Sequence, residues 1–322
     1  MNKRICPRCY CSKVIKRGKR NGRQRYYCKG CLGMFSNKKR TKRRDSNILN
    51  RYMNDDLKVR TLARDFNLSG NTIRKIIHTL SPSDIVQHPR PVSPIMDTTY
   101  WGRSKGLLAV IDPNATAQEN LVLYYDFIKH TETTLDYEIA TDTVEAMGYD
   151  VISVTIDGRR GVKEMLEAKG IPVQYCQFHQ LQTINQCLTR NPILPQHKEL
   201  RDIALTLTRS DRITFESQLD HWHLKYGTWL RERYIDESGR NRYCHDRCRR
   251  AYFSLRRNLP NLFTYQQPSL QRWTAKGVRT RNTTSPLDGQ FAVWKDKLKA
   301  HRGITHELKV KILCNFFSGV TG

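Results

Sequence analysis

Acidic residues are scarce in this chain, and they are missing altogether from its first 44 residues. Thirty Asp and Glu stand against 56 Lys and Arg, and residues 1–44 hold seventeen of those bases and none of the acids. Bases with no acids to offset them face outward as a polyanion-binding surface. Long apolar runs are also missing. The longest, such as Leu107–Ile111, are far too short to span a bilayer, and there is no signal-peptide core, lipidation motif or long amphipathic helix with a basic face. A membrane-surface role therefore lacks support. No internal repeat occurs, and no low-complexity tract beyond the basic run Asn37–Arg44. Of the ten cysteines, four fall in two close pairs and the rest are scattered, which argues against a disulfide framework and for a reducing cytoplasm.

What is present points to nucleic acid. Net charge is +26, of which residues 1–60 carry +17 (twenty bases less three acids), leaving +9 for the other 262 residues. Such asymmetry implies a nucleic-acid partner bound chiefly through phosphates, with affinity that falls steeply with salt. The two pairs are Cys6-Pro-Arg-Cys9 and Cys28-Lys-Gly-Cys31, separated by eighteen residues. Four thiolates so spaced close tetrahedrally on one Zn²⁺, each pair forming a knuckle on a short hairpin, and the metal supplies folding energy that so charged a segment lacks. Cys11 is a fifth cysteine, and a shifted set using it in place of Cys9 stays open.

The 322 residues leave room for two or three domains. We expect a zinc ribbon and basic linker over 1–44, with strands near Lys13–Arg17 and Gln24–Tyr27. Helical periodicity follows over 45–80, where Leu57, Leu62, Ala63, Phe66, Leu68, Ile73, Ile76 and Ile77 recur at three- and four-residue steps. The interruption at Asn67–Gly70, with Gly70 in the turn, suggests a helix-turn-helix whose second helix presents Asn71, Thr72, Arg74 and Lys75 to a major groove, although an ordinary αα-hairpin would read similarly. Residues 81–91 are proline-rich and read as a linker.

From 92 to 322 the pattern alternates. Strands are expected at Val92–Tyr100, Gly106–Ile111, Leu121–Phe127, Val151–Ile156 and Val173–Cys176, with helices at Thr133–Met147 and Arg160–Lys169. A three-strand meander followed by helix, strand, helix, strand is an α/β fold with a ribonuclease H-like mixed sheet. A mainly helical, Arg-rich insertion at about 180–280 interrupts it, and amphipathic helices resume at Leu287–Leu298 and about Thr305–Phe317.

Asp97 and Asp157 belong to the first and fourth of those strands. A carboxylate in or at the end of a buried strand is costly unless paired or metal-bound, though a strand-end turn is the bland reading of either alone. If the strands are parallel neighbours, both acids emerge at one end of the sheet, close enough to share a divalent cation. Asp112 is the rival second acid. Its strand would pair position 97 with about 109, leaving Asp112 roughly 10 Å away along the strand. Asp288, opening the helix at Leu287, would complete a site for two Mg²⁺ or Mn²⁺ ions able to cut a phosphodiester, or is simply a first-turn acid.

Cys176-Gln177-Phe178-His179 lies at the end of the last strand, starting nineteen residues after Asp157. It reads equally as a buried Cys with a surface His or as a structural or DNA-contacting element. Cys244, His245 and Cys248 offer a second metal site, alone or with Cys176 and His179, or ordinary packing. Seven arginines between Arg240 and Arg257 interleave with Tyr243, Tyr252 and Phe253, as a solvated face or a DNA-contacting one.

Taken together, Met96-Asp97-Thr98-Thr99-Tyr100-Trp101-Gly102-Arg103, Ile156-Asp157-Gly158, Tyr175-Cys176-Gln177-Phe178-His179 and Asn282-Thr283-Thr284-Ser285-Pro286-Leu287-Asp288-Gly289-Gln290-Phe291, running into Lys297–Ile304, resemble the Mutator-like DDE transposases of bacterial insertion sequences. The resemblance covers about residues 90–317, and an N-terminal zinc ribbon with helix-turn-helix is similar to arrangements in such elements. It implies a ribonuclease H-like core with a helical insertion between the second and third acids. It also implies metal-dependent hydrolysis at transposon ends, then attack of the freed 3′-hydroxyl on target DNA. By position Asp97, Asp157 and Asp288 are the metal-binding catalytic acids, and Cys176/His179 matches the family's Cys-x-x-His element. Terminal repeats, target DNA and a second copy in a homodimer or larger complex are the implied partners, in the cytoplasm at the nucleoid. The third acid departs from the family's Asn-x-Leu/Ile-Glu-Gly: Asp for Glu shortens the reach by on the order of 1.5 Å at a metal with strict geometry. A catalytically inactive, decayed or domesticated DNA-binding form is the alternative.

Overall fold

The computed structural model describes residues 5–20, 23–36, 39–79, 88–101, 105–116, 119, 121–301 and 303–317. Contacts divide the chain into two compact units, Met1–Pro82 with Lys299–Ile312 and Ser83–Leu298 with Leu313–Val320.

The N-terminal unit begins with a three-stranded antiparallel sheet in the order β1 (Val14–Arg20), β2 (Arg23–Cys28), β3 (Met34–Ser36). Val14 faces Cys28 and Lys19 faces Gln24, with a shift of register near Gly18, which takes a left-handed φ of 61°. Among the described residues of this sheet and its loops, Tyr26 is the one buried side chain other than Cys6 and Cys28. Helices α1 (Lys39–Asn54), α2 (Val59–Asp65) and α3 (Gly70–Ile77) follow, burying Ile48, Tyr52, Leu62, Ile73 and Ile77. Two expectations are corrected here. The basic run read as a linker is helical from Lys39 onward, in keeping with the good helix propensity of Lys and Arg. Gly70 is the first residue of α3, and the left-handed turn residue is Asn67, with φ 49°. In the same unit the His301 ring packs on Tyr52 at 4.1 Å, with Nε2 3.3 Å from Asp56. Residues 81–87 of the expected linker lie outside the described residues.

The second unit is mixed α/β. Its elements are β4 (Pro91–Val92), β5 (Ile95–Tyr100), β6 (Gly106–Ile111), β7 (Val122–Asp126), α4 (Thr134–Ala146), β8 (Asp150–Val151), β9 (Val154–Ile156), α5 (Arg160–Ala168) and β10 (Val173–Tyr175). The main sheet runs β10-β9-β5-β6-β7, parallel across β10, β9 and β5 and antiparallel from β5 to β7. Two expected strands, Val92–Tyr100 and Val151–Ile156, each break in two, and their first pieces form the separate parallel pair β4–β8. Pro94 has no N–H to donate to a ladder. Beside it the buried hydroxyls of Ser93 and Ser153 bond each other and Thr280.

Both faces of the sheet are covered, which explains the unbroken burial of β6. Met96, Leu108 and Val110 pack with Tyr137, Ala140 and Val144 of α4 and Val162 and Leu166 of α5. Ile95, Leu107, Ala109, Ile111 and Val122 meet Leu287, Phe291 and Trp294 of a helix late in the chain. Between β10 and that helix lie α6 (Gln177–Leu188), α7 (Pro195–Leu205), α8 (Arg212–Tyr226), a 3₁₀ turn at Trp229–Arg231, β11 (Arg233–Ile235), β12 (Asn241–Tyr243), α9 (Asp246–Leu262) and α10 (Pro268–Thr274). The β11–β12 hairpin is the strand pair within this otherwise helical insertion, which was expected to be mainly helical. The Leu262 carbonyl at the end of α9 accepts from the buried side-chain amides of Gln174 and Gln177, both at 2.9 Å, tying the insertion to the sheet. The late helix is α11 (Ser285–Ala300), and α12 (His306–Phe317) follows it. Among the described residues no helix is long and apolar enough to cross a membrane.

Candidate functional sites

The knuckles bring four thiols together. The sulfurs of Cys6, Cys9, Cys28 and Cys31 all lie within 4.8 Å of one another, with Cys6 3.7 Å from Cys31 and Cys9 3.6 Å from Cys28. Cys11 is outside this set. Its sulfur instead fills the space beside Gly30, where a Cβ would come within 2.9 Å of it. Backbone hydrogen bonds at Cys31 and Gly30 draw the Cys28 thiol down to about 6 against the effect of burial. Cys9 also gains from a backbone bond at Cys11, but burial and the neighbouring thiols push it up to about 12. Four sulfurs so close cannot all ionise unaided, and a bound cation lets them. This set can hold a metal such as zinc.

The acids are positioned by strand register. Ile95 of β5 lies beside Thr155 of the parallel strand β9, so two residues further on Asp97 comes opposite Asp157, on one face and at the carboxyl end of β9. Tyr175 of β10 lies beside Ile156, which continues the row to Cys176. Ligand sites in sheets of this kind gather at the carboxyl ends of parallel strands. Burial raises Asp97 to about 7, and the charges of Asp157 and Asp288 add to the effect. Asp157 is also raised, by burial and by Glu132, against the opposing pull of Arg159 and His179. Asp288 sits in the first turn of α11. The three carboxylates thus share one field. Among the described residues, however, only the thiol set has three or more ligand atoms within 4.8 Å of each other.

Asp112 is elsewhere. Asp97 faces Ala109 across the antiparallel β5–β6 pair, as the spacing suggested, and Asp112 is buried at the far end, 2.7 Å from Arg90. An acid already neutralised by arginine is a structural ion pair.

Cys176 caps α6, and His179 stands one turn along it. Burial would raise the Cys176 thiol, but hydrogen bonds from His179 and Thr284 outweigh it and hold the thiol below its ordinary value. The same bond raises His179 to about 9, with Asp97 and Asp288 contributing, so His179 is an imidazolium at neutral pH. Thr284 is the residue that sequence reasoning missed. Its fully buried hydroxyl lies 3.4 Å from Cys176 Sγ, 3.3 Å from His179 Nδ1 and 3.4 Å from Asp288 Oδ2, joining the pair to the third acid. Its place in the Asn282–Phe291 run that carries the resemblance was the sequence signal for it, though that run gave Thr284 no role of its own. A cleft of about 520 Å³ opens from this point, lined by Asp157, Arg159, His179, Gln180, Arg257 and Asn258 among others.

Of the two readings of Cys244, His245 and Cys248, ordinary packing is the one found: among the described residues they form no metal-ligand set. Cys248 is buried, and its thiol is pushed up to about 12 by that burial. His245 stacks on Trp229 at 3.5 Å and pairs with Glu232 at 2.8 Å. On α3, Asn71, Arg74 and Lys75 are exposed while Ile73, Ile76 and Ile77 are buried. Thr72 is half-buried, with its amide and hydroxyl bonded to the N-cap Ser69, so it is less free to reach a partner than its neighbours.

No protein-family model matches the chain, and no curated protein matches it.

Proposed function

We propose that this chain is a DNA transposase with a ribonuclease H-like catalytic core, of the kind the Mutator-like resemblance implies. The observation that carries the reading is the in-register row of Asp97 and Asp157, with Asp288 close enough to raise the pKa of Asp97. The strand order, antiparallel from β5 to β7 and parallel from β5 to β10, supports the core assignment.

The donor set suits Mg²⁺ or Mn²⁺. Asp97 carries its charge only part of the time at neutral pH beside two other carboxylates, an electrostatic debt that a divalent cation cancels. Three carboxylates leave coordination positions for water and phosphate oxygens. Bound there, two ions would activate the attacking water or 3′-hydroxyl and stabilise the leaving oxygen. The chain's own part is to hold and orient. Asp97 is fixed by the Thr98 N–H at 2.8 Å, and Asp288 by Thr284. The His179 imidazolium presents positive charge to a phosphodiester entering the cleft, whereas Arg159 in the cleft wall is ion-paired with Glu132. The basic ribbon and the exposed face of α3 hold the terminal repeats, and two copies handle two ends together. The setting is the cytoplasm, at the nucleoid.

The test is strand transfer. Full-length protein, Mg²⁺, labelled duplexes carrying the DNA that flanks its coding sequence and a supercoiled target should yield joined products. Cutting without joining would make it a nuclease on the same core. One observation favours a second reading, a DNA-binding form without catalysis. The acidic oxygens are not gathered as the thiols are, and Asp288 is a methylene shorter than the glutamate usual in the resembling family.

A further inference from the structure

The helical insertion holds a second cleft, of about 470 Å³, between α8, the 3₁₀ turn, the β11–β12 hairpin and α9. Its walls include Arg231, Arg233, Arg249, Tyr243 and Phe253, and no acid lines it. The Arg249 guanidinium lies 4.0 Å from the Tyr243 ring centre and 4.6 Å from that of Phe253. Arg233 lies 4.0 Å from Tyr243 and donates to its hydroxyl. Tyr252, stacked with His223 at 4.8 Å and an interplanar angle of 8°, stiffens the floor. Arg231, Arg233 and Arg249 have no carboxylate partner among the described residues, whereas Arg256, also in the wall, is paired with Glu216 and Asp220 at 3.4 and 3.1 Å.

Unpaired guanidinium groups beside aromatic rings, in a volume suited to a small ligand, match a flat π system that carries a negative charge. A nucleotide has both, its base for the exposed Phe253 ring and its phosphate for the arginines, while Tyr243, sandwiched between Arg233 and Arg249, holds those guanidinium groups in place. We propose that this cleft binds one unpaired nucleotide of the DNA strand that passes the acidic site. The choice of a strand over a free nucleotide rests on continuity. Ser254, Arg257 and Asn258 of α9 line the cleft that begins at Asp157, while Arg249, Phe253 and Arg256 on the adjoining flank of α9 line this one. A single strand following the first cleft reaches the second across one helix. A closed duplex does not fit a pocket of this size. The inference rests on the DNA-processing reading and extends it.

The test uses full-length protein in the Asp97→Asn background, so that DNA is bound without being cut. Anisotropy measures affinity for a duplex and for a single-stranded thymidine oligonucleotide carrying one 2-aminopurine, whose fluorescence reports stacking. Phe253→Ala is partly exposed and should fold. It and Arg249→Gln should each weaken single-strand binding by about tenfold or more and abolish the fluorescence change, leaving duplex affinity within about twofold. Unchanged single-strand binding in both variants would overturn the assignment while leaving the DNA reading intact. Absence of any DNA binding by the parent protein would overturn both. Displacement of the oligonucleotide by micromolar dAMP would make this a free-nucleotide site and overturn the strand assignment.

Discussion

Asp97→Asn should cut the proposed strand cleavage by about a hundredfold or more, the scale on which loss of one preorganised electrostatic group falls, and should leave DNA binding intact. The substitution keeps the side chain's size and removes its charge. The ribbon and α3 belong to the other compact unit, so DNA binding through them should persist. The same variant carries a stability signature that a bystander aspartate would not. Folding raises Asp97 from 3.8 to about 7, so between those values the native chain holds a proton that the unfolded chain has released. Stability in the absence of divalent cations therefore falls as pH rises from about 4 to about 7, by at most on the order of 4 kcal/mol from this group. Asp157, raised as well, adds a fall of the same sign. Asp97→Asn should flatten that fall, and it should melt higher than the parent at neutral pH without metal. Mg²⁺ should stabilise the parent at neutral pH and the variant much less. Thermal melts at pH 4.5 and 7.5, with and without Mg²⁺, check this. Cleavage retained in Asp97→Asn would remove the residue from the mechanism.

Cys28→Ser should leave the four-thiol site unable to hold its metal. The segment holding β1–β3 buries one tyrosine besides two of its cysteines, so its apolar contacts cannot offset the conformational entropy of ordering it. A metal held by the four thiols would supply what is missing, and its removal would leave such a module unfolded. Zinc content by elemental analysis should be one equivalent per chain in the parent. It should drop below about a tenth of that in Cys28→Ser, with rapid proteolysis confined to the first 40 or so residues and loss of end-specific DNA binding. Cys11→Ser, outside the thiol cluster, should keep its zinc. Full zinc in Cys28→Ser, or its loss in Cys11→Ser, would contradict the ligand set.

Local signals marked out much of this molecule. The cysteine spacing identified the thiols that meet, and alternation located the strands of the main sheet to within a few residues. A hairpin count put residue 97 opposite 109, the pairing found. What was not legible depends on partners distant in the chain. Thr284 meets Cys176 across 108 residues, and Thr280 joins Ser153 across 127. No periodicity announces a hydroxyl whose partners lie on another element. The breaks at Ser93–Pro94 and Ile152–Ser153 escaped for the same reason, since apolar patterning shows through an interruption of the ladder. Gly70 was misjudged because glycine is the default left-handed residue, whereas Asn67 takes that conformation here. The arginine and aromatic residues of the insertion stood out early, but only the hairpin that sets Tyr243 beside Arg249 turns them into a cleft.

Asp288 remains the hinge of the functional account, because Thr284 ties it to the Cys176/His179 pair while its side chain is the shortest acid available. The most direct measurement is cleavage of labelled DNA carrying the sequences that flank its coding sequence, in Mg²⁺ or Mn²⁺, by the parent protein, Asp288→Ala and Asp288→Glu. The account predicts cutting by the parent and none by Asp288→Ala. A silent parent beside an active Asp288→Glu, or cutting that survives Asp288→Ala, would contradict it.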